Sequence, residues 1–164
     1  MQVLRHVSQA LDKEHRASLE LLGRIEQAFT RAPRSGIARD PEIVRLAAAF
    51  AWLIEEDVAR HFDFEERELF ARMAESGEGD IAALLTEEHD AIRAVAAEIL
   101  PLVRAAAAGA LADADFDALR QGTLEMVERE VAHIQKETMA LLPMLDDLLD
   151  DETDRELAFA YAAG

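Results

Sequence analysis

Residues 61–73 read HFDFEERELFARM and residues 133–145 read HIQKETMALLPML. In each stretch a histidine is followed four residues later by a glutamate: His61 by Glu65, His133 by Glu137. On an α-helix that spacing puts both side chains on one face, about 5–6 Å apart at Cβ. The same face is apolar on either side. Ile54 and Phe64 lie seven before and three after His61, and Met126 and Leu141 lie seven before and eight after His133. Each pair therefore sits on the stripe of a helix that should face a core.

Upstream of each pair lies a second histidine. Residues 14–29 read EHRASLELLGRIEQAF and residues 88–103 read EHDAIRAVAAEILPLV. His15 stands four after Leu11 and seven before Leu22; His89 stands four after Leu85 and three before Ile92. His15 and His89 are 74 residues apart, and His61 and His133 are 72 apart. The chain thus reads as two helix pairs related by a pseudo-twofold repeat.

The residues between these segments supply the boundaries. The 7 glycines and 4 prolines cluster between long Ala/Leu/Glu/Arg-rich runs, which predicts an all-α protein. A first helix runs from about Ser8 to Arg31 and is broken at Pro33-Arg34-Ser35-Gly36. Asp40-Pro41 supplies an N-cap and a proline at the first helical position, starting a second helix that reaches about Ala74. After Ser76-Gly77-Glu78-Gly79, Asp80 caps a third helix to about Ala108, closed by Gly109. Asp113 or Asp115 caps a fourth that reaches about Leu149. Pro101 and Pro143 fall inside helical patterns and should kink or interrupt them. Four helices with short connections predict an antiparallel up-down-up-down four-helix bundle over residues 1–150. Residues 151–164 read as an acidic C-terminal tail, with at most a short helix through Leu157-Ala158-Phe159.

Composition narrows the function. The 164 residues carry 17 Lys+Arg and 34 Asp+Glu, a net charge of −17, which argues against partners that present phosphate, whether nucleic acid or anionic membrane. The chain has no cysteine, which excludes a disulfide framework, a thiolate metal site, an iron–sulfur cluster and a cysteine nucleophile. No segment reaches the ~18 apolar residues of a membrane helix, and Met1 to Val7 holds no apolar run long enough for a signal peptide. A cytoplasmic location is the expectation.

Four histidines and two glutamates on core-facing stripes pose an energetic problem. A buried, unpaired carboxylate costs several kcal/mol or neutralises. A metal ion removes the conflict by satisfying imidazole and carboxylate together. Without thiolate, the donor set suits iron, manganese or zinc. Two carboxylates shared between two imidazole pairs suit a dinuclear site. Four nitrogens and four carboxylate oxygens leave about four of the roughly twelve positions of two octahedral ions. A bridging oxide or hydroxide takes two. About one position per ion remains for a small ligand such as dioxygen, nitric oxide or peroxide.

The pattern of His15, His61, Glu65, His89, His133 and Glu137 over residues 8–146 resembles the hemerythrin-like HHE cation-binding domain family. The resemblance implies a non-haem di-iron centre bridged by the two carboxylates, with His15 and His61 on one iron and His89 and His133 on the other. The chain departs from the oxygen-carrying hemerythrins: Leu85 stands where they have a fifth histidine, and the last carboxylate is Glu137 rather than an aspartate one residue later. The four-His, two-Glu set is closer to the di-iron domain of bacterial proteins that repair nitrosatively damaged iron–sulfur centres. Those proteins add a cysteine-bearing domain that has no counterpart here. Three function classes follow. One is a sensor, store or scavenger binding a small molecule. Another is a di-iron enzyme acting on peroxide or nitric oxide, or an iron-centre repair protein. The third is a zinc-holding or metal-free interaction bundle.

Other residues receive blander readings. His6 lies outside the repeat and reads as a surface residue. Asp57 and Arg129, one turn before His61 and His133, are either groups that orient an imidazole or solvated charges. Glu14 and Glu88 precede a histidine in both halves, as a paired function, caps or surface charge. Glu66, Glu68 and Glu130 read as exposed. Glu130 and His133 have the Glu-x-x-His spacing of ferritin-like bundles, but Val58 occupies the matching place before His61. Trp52, Phe62, Phe64, Phe70, Met126, Met139 and Met144 read as core, and Asp146-Asp147 and Asp150-Asp151-Glu152 as solvated helix ends.

Overall fold

A computed structural model describes residues 5–33 and 35–164, without the side chain of Asp57; Arg34 in the first interhelix break and the expected orienting function of Asp57 thus lie outside the described residues. Helix α1 spans His6–Arg31 and α3 spans Gly79–Ala107. Helix α2 covers residues 41–75 and α4 covers 116–148. Helix α5 spans Asp151–Ala163. Among the described residues there is no strand, and no helix is long and apolar enough to cross a membrane.

Local chemistry accounts for the boundaries. The Asp40 carboxylate accepts from the Glu42 and Ile43 amides, and Pro41 takes the first helical position, where its missing N–H costs nothing. Gly77, at φ 98°, and Gly109, at φ 66°, reverse the chain after α2 and α3 in a left-handed conformation that a side chain would disfavour. Asp80 is not the cap of α3. The helix starts one residue earlier, and Asp80 lies in its first turn, where its charge still complements the helix dipole.

The expected four-helix bundle is present: α2 and α4 each pack against both α1 and α3. Two apolar clusters fill it. One contains Leu22, Phe29, Phe50, Ile92, Phe116 and Met126; the other contains Leu11, Phe64, Leu69, Leu85, Leu141 and Leu145. On α1 the clusters meet between Leu11 and Leu22, and on α3 between Leu85 and Ile92, so His15 and His89 lie in the layer between them.

The long helices are not uniformly α-helical. Wider π turns occupy Leu53–Val58, Glu65–Phe70 and Glu137–Leu141. Two of the three begin at the glutamates of the His-x-x-x-Glu pairs, in both halves of the repeat. Pro143 lies just past the last of them. An α-helical Pro143 would clash with the carbonyl four residues back, and the widened turn removes that clash. Pro101 is accommodated inside α3 without a break.

Two residues expected in the core are on the surface: Trp52 is 62% exposed and Met139 is 81% exposed. Each stands two positions from a buried residue, Phe50 and Glu137 respectively, which is about 200° around a helix. Phe62, Phe64, Phe70 and Met126 are buried as expected, and Met144 is partly buried against the second cluster.

The acidic end of the chain is a docked helix rather than a tail. Asp150 caps α5 through the Thr153 amide. Leu157 and Tyr161 join the second apolar cluster. Helix α1 has no cap of its own at Arg5. Asp154, buried on α5, accepts from the His6 and Val7 amides at 2.9 and 3.0 Å and so caps α1 from across the fold. The Asp154 carboxylate is also 2.9 Å from His6 Nδ1, whose side chain is otherwise mostly exposed, as the sequence suggested. Burial raises the Asp154 carboxyl, but the two amides and His6 outweigh it and hold the pKa below the ordinary value. Arg5 adds ion pairs to Asp151 and Asp146.

Candidate metal centre

The bundle brings all six predicted residues to one point. His15 comes from α1, His61 and Glu65 from α2, His89 from α3, and His133 and Glu137 from α4. All six are buried, with Glu65 and His89 at 0% exposure. They form two overlapping groups: His15, His61, Glu65 and Glu137 in one; Glu65, His89, His133 and Glu137 in the other. Within each group one donor atom per residue lies within 4.8 Å of every other, close enough to hold an ion. Glu65 and Glu137 belong to both.

The distances show why the glutamates are shared. Glu65 Oε1 is 2.7 Å from His61 Nε2, and Glu65 Oε2 is 3.2 Å from His89 Nε2. Glu137 Oε2 is 3.1 Å from His15 Nε2, and Glu137 Oε1 is 2.8 Å from His133 Nε2. Each carboxylate therefore turns one oxygen to each imidazole pair. His15 and His61 bring their Nε2 atoms to 3.3 Å. Despite these approaches, Glu65 Oε2, His89 Nε2, His133 Nε2 and both Glu137 oxygens make no aligned hydrogen bond. Donors converging in a dry core without satisfying one another fit a cation that would bind them all.

The outward nitrogens carry a second layer. His61 Nδ1 is 2.9 Å from Glu14 Oε2, His133 Nδ1 is 2.8 Å from Glu88 Oε2, and His89 Nδ1 is 3.2 Å from Glu66 Oε1. A carboxylate on Nδ1 fixes the ring and leaves Nε2 as the inward donor. Arg60 and Tyr161 hold Glu14, Lys136 holds Glu88, and Arg93 holds Glu66. His15 Nδ1 has no hydrogen-bond partner among the described residues. The repeat explains the gap: Glu66 is five residues after His61, and the residue five after His133 is Thr138, whose hydroxyl donates to the Ile134 carbonyl instead.

Charge follows the geometry. Burial opposes protonation of His61, but Glu65 and Glu14 hold its pKa well above the ordinary value. His89 is raised against the same desolvation by Glu137 and Glu65. His133 is raised to about 9, burial being outweighed by Glu137 and Glu88. Burial pushes Glu137 up, yet His133, His15 and His89 keep it well below the usual carboxylate range. Glu14, also desolvated, is held down at about 2 by His61, Tyr161 and Arg60. Arg93 is the main cause of the lowered Glu66, and Lys136 and His133 outweigh burial at Glu88. In the metal-free centre the charges thus form a lattice that favours the protonated forms of His61, His89 and His133, and a metal cation would replace those protons.

The six inner residues lie together as the sequence indicated, and Glu14 and Glu88, which the sequence favoured as caps or surface charges, both bind an imidazole instead. Sequence reasoning misread Glu66 and Glu130. Glu66 orients His89, and Glu130 is 5% exposed and lines a small cavity with His15, Ser18, His61, Phe62 and His133. The Glu-x-x-His spacing was the available signal for Glu130. Arg129 is half exposed and pairs with Glu125 one turn back, which settles it as a surface charge.

A family model described as the hemerythrin HHE cation binding domain matches residues 6–145. A comparison with curated proteins finds no match.

Proposed function

Because the chain belongs to the hemerythrin HHE cation-binding family, whose members bind metal ions, usually iron, we propose that it is a non-haem di-iron protein. Its two irons would be held by His15 and His61 on one side and His89 and His133 on the other, with Glu65 and Glu137 bridging. The observation that carries this reading is the sharing of both glutamates, one oxygen to each imidazole pair, by two overlapping donor groups. When bound, the ions supply redox chemistry and open positions for a small ligand: dioxygen, nitric oxide or peroxide. Protein residues fix the imidazoles through Glu14, Glu66 and Glu88 and exclude water with the two apolar clusters. The activity is that of a sensor, store or scavenger. The acidic, cysteine-free sequence suits the cytoplasm and neither nucleic acid nor membrane as partner.

Buried Glu130 favours a second reading, an enzyme that decomposes peroxide or reduces nitric oxide. It is a carboxylate outside the ligand set that lines the cavity beside His61 and His133, where it could carry a proton. Turnover of hydrogen peroxide, with free iron controlled, separates the two readings.

Elemental analysis of protein produced with ample iron is the test. Two irons per chain are expected, and His61→Ala and Glu65→Ala should each lose stoichiometric metal. One zinc, no metal, or full metal content in both variants overturns the assignment. Spectral change on adding dioxygen or nitric oxide to the reduced protein then identifies the ligand.

A further inference from the structure

The repeat makes the two ends of the centre comparable, and they are not built alike. At the His133 end, Glu88 is held by Lys136, whose ammonium is about half exposed. That end borders an open groove lined by Leu84, Glu87, Glu88, Glu125 and Lys136. At the His61 end, Glu14 is held by Arg60 and by Tyr161, the one tyrosine of the chain, which is 5% exposed. Tyr161 comes from α5, beyond the 6–145 span of the family match.

Tyr161 is tied in by every part of its structure. Its hydroxyl donates to Glu14 Oε2, the same oxygen that His61 Nδ1 approaches, and lies 2.9 Å from that nitrogen. The Arg60 guanidinium lies 4.6 Å from the ring centre, and its Nη1 donates to the Tyr161 carbonyl at 3.0 Å. Arg60 Nη2 donates to Glu14 Oε1 at 2.9 Å, closing a loop of three residues from three helices. Phe64 also packs against the ring, with ring centres 4.6 Å apart.

We propose that Tyr161 is a positioning residue of the metal centre, through which α5 locks Glu14 onto His61 and slows release of the His15/His61 ion. This rests on the di-iron reading above. The phenol reduces the freedom of the Glu14 carboxylate, Glu14 fixes the imidazole, and the imidazole presents Nε2 inward. At the other ion, His89 is fixed by Glu66 and Arg93, and Glu88 on His133 is held by a half-exposed ammonium, so Tyr161 bears on the His61 end alone. Loss of a group that orients a metal-bound histidine typically costs 10–100-fold in metal affinity.

The experiment is removal of iron(II) from the loaded full-length protein by a colorimetric chelator under anaerobic conditions, for wild type and Tyr161→Phe. Wild type is expected to release two irons per chain in two phases, one for each end of the centre. Tyr161→Phe keeps the ring against Arg60 and Phe64 and deletes only the hydroxyl. It is expected to load two irons and to accelerate one phase about 10–100-fold, with the other unchanged. The ligand-field absorption of the cobalt(II)-loaded variant should also shift, a signature that mere loss of packing would not give. The proposal is overturned if Tyr161→Phe matches wild type in release and spectrum. It is equally overturned if the variant speeds both phases alike and leaves the cobalt spectrum unmoved, as a loosened helix would. A wild-type protein that loads fewer than two ions removes the di-iron reading itself, and the proposal with it.

Discussion

Replacing Glu137 with glutamine removes one charge and almost no volume at the point where both halves of the centre meet. The Glu137 carboxylate is 1% exposed and faces His133 Nε2 at 2.8 Å, His15 Nε2 at 3.1 Å and His89 Nε2 at 3.5 Å. In the metal-free protein it is the anion that raises His133 and His89 above the ordinary histidine value. Removing one member of a buried ion pair costs about 3–5 kcal/mol. Deprotonation of His133 in the variant recovers part of this, leaving about 3 kcal/mol near neutral pH. At about 2–4 °C per kcal/mol for a chain of this length, the metal-free variant should melt roughly 6–12 °C below wild type. The sign of the pH dependence follows from His133, whose folded pKa is raised to about 9. Its stabilisation is fully present below the unfolded histidine value of about 6.5 and is lost as pH rises through about 9. The gap between variant and wild type should therefore be widest near pH 6 and narrow above pH 9. Metal adds a second, opposite comparison. At a free concentration one hundred times the dissociation constant, wild type gains about 2.7 kcal/mol per site, whereas the variant, whose amide offers one neutral oxygen where the carboxylate offers two, gains less. Scanning calorimetry of metal-free and iron(II)-loaded forms, with metal content measured in parallel, reads both effects. A metal-free variant as stable as wild type at pH 6 would refute the charge lattice. Full metal content with the wild-type increment would refute the bridging function.

Two further perturbations test the frame around the centre. Asp154→Ala uncaps α1 from across the fold and should cost about 1–2 kcal/mol. Because the Asp154 pKa is lowered, its contribution is present above the ordinary aspartate value of about 3.9 and is lost as pH falls below it. Acid unfolding should accordingly separate wild type from variant above about pH 4 and bring them together below; parallel curves throughout would sink the idea. Gly122→Ala on α4 should destabilise by about 1–3 kcal/mol in urea, since a Cβ there runs into Ile99 Cγ2 on α3. Gly23→Ala in α1, where nothing lies within 4 Å, should instead stabilise by about 0.5–1 kcal/mol; the reverse order of the two would show that the α3–α4 approach is misjudged.

The sequence by itself determined the bundle and its inner six residues, because both are written in the helical period. A histidine and a glutamate four apart share a face whatever surrounds them, and Ile54, Phe64, Met126 and Leu141 say which way that face points. Asp40-Pro41, Gly77 and Gly109 act on their own backbone and were equally legible. Only the tertiary structure decided the layer outside the centre. Glu14 adjoins His15 in sequence yet serves His61, Glu88 adjoins His89 yet serves His133, and Glu66 adjoins Glu65 yet serves His89. Each of these pairings crosses between helices, so it depends on how closely and at what rotation two helices approach, which no periodicity within one helix encodes. The π turns beginning at Glu65 and Glu137 are of the same kind, since they shift the register of a helix without leaving a residue-type signal. Helix α5 is the clearest case. Its acidic composition reads as solvated, and its order comes from the burial of Leu157 and Tyr161 together with polar contacts to α1, among them Asp154 on the His6 and Val7 amides and Tyr161 on Glu14. Those partners lie almost 150 positions back in the chain, and the folded bundle alone brings them within reach.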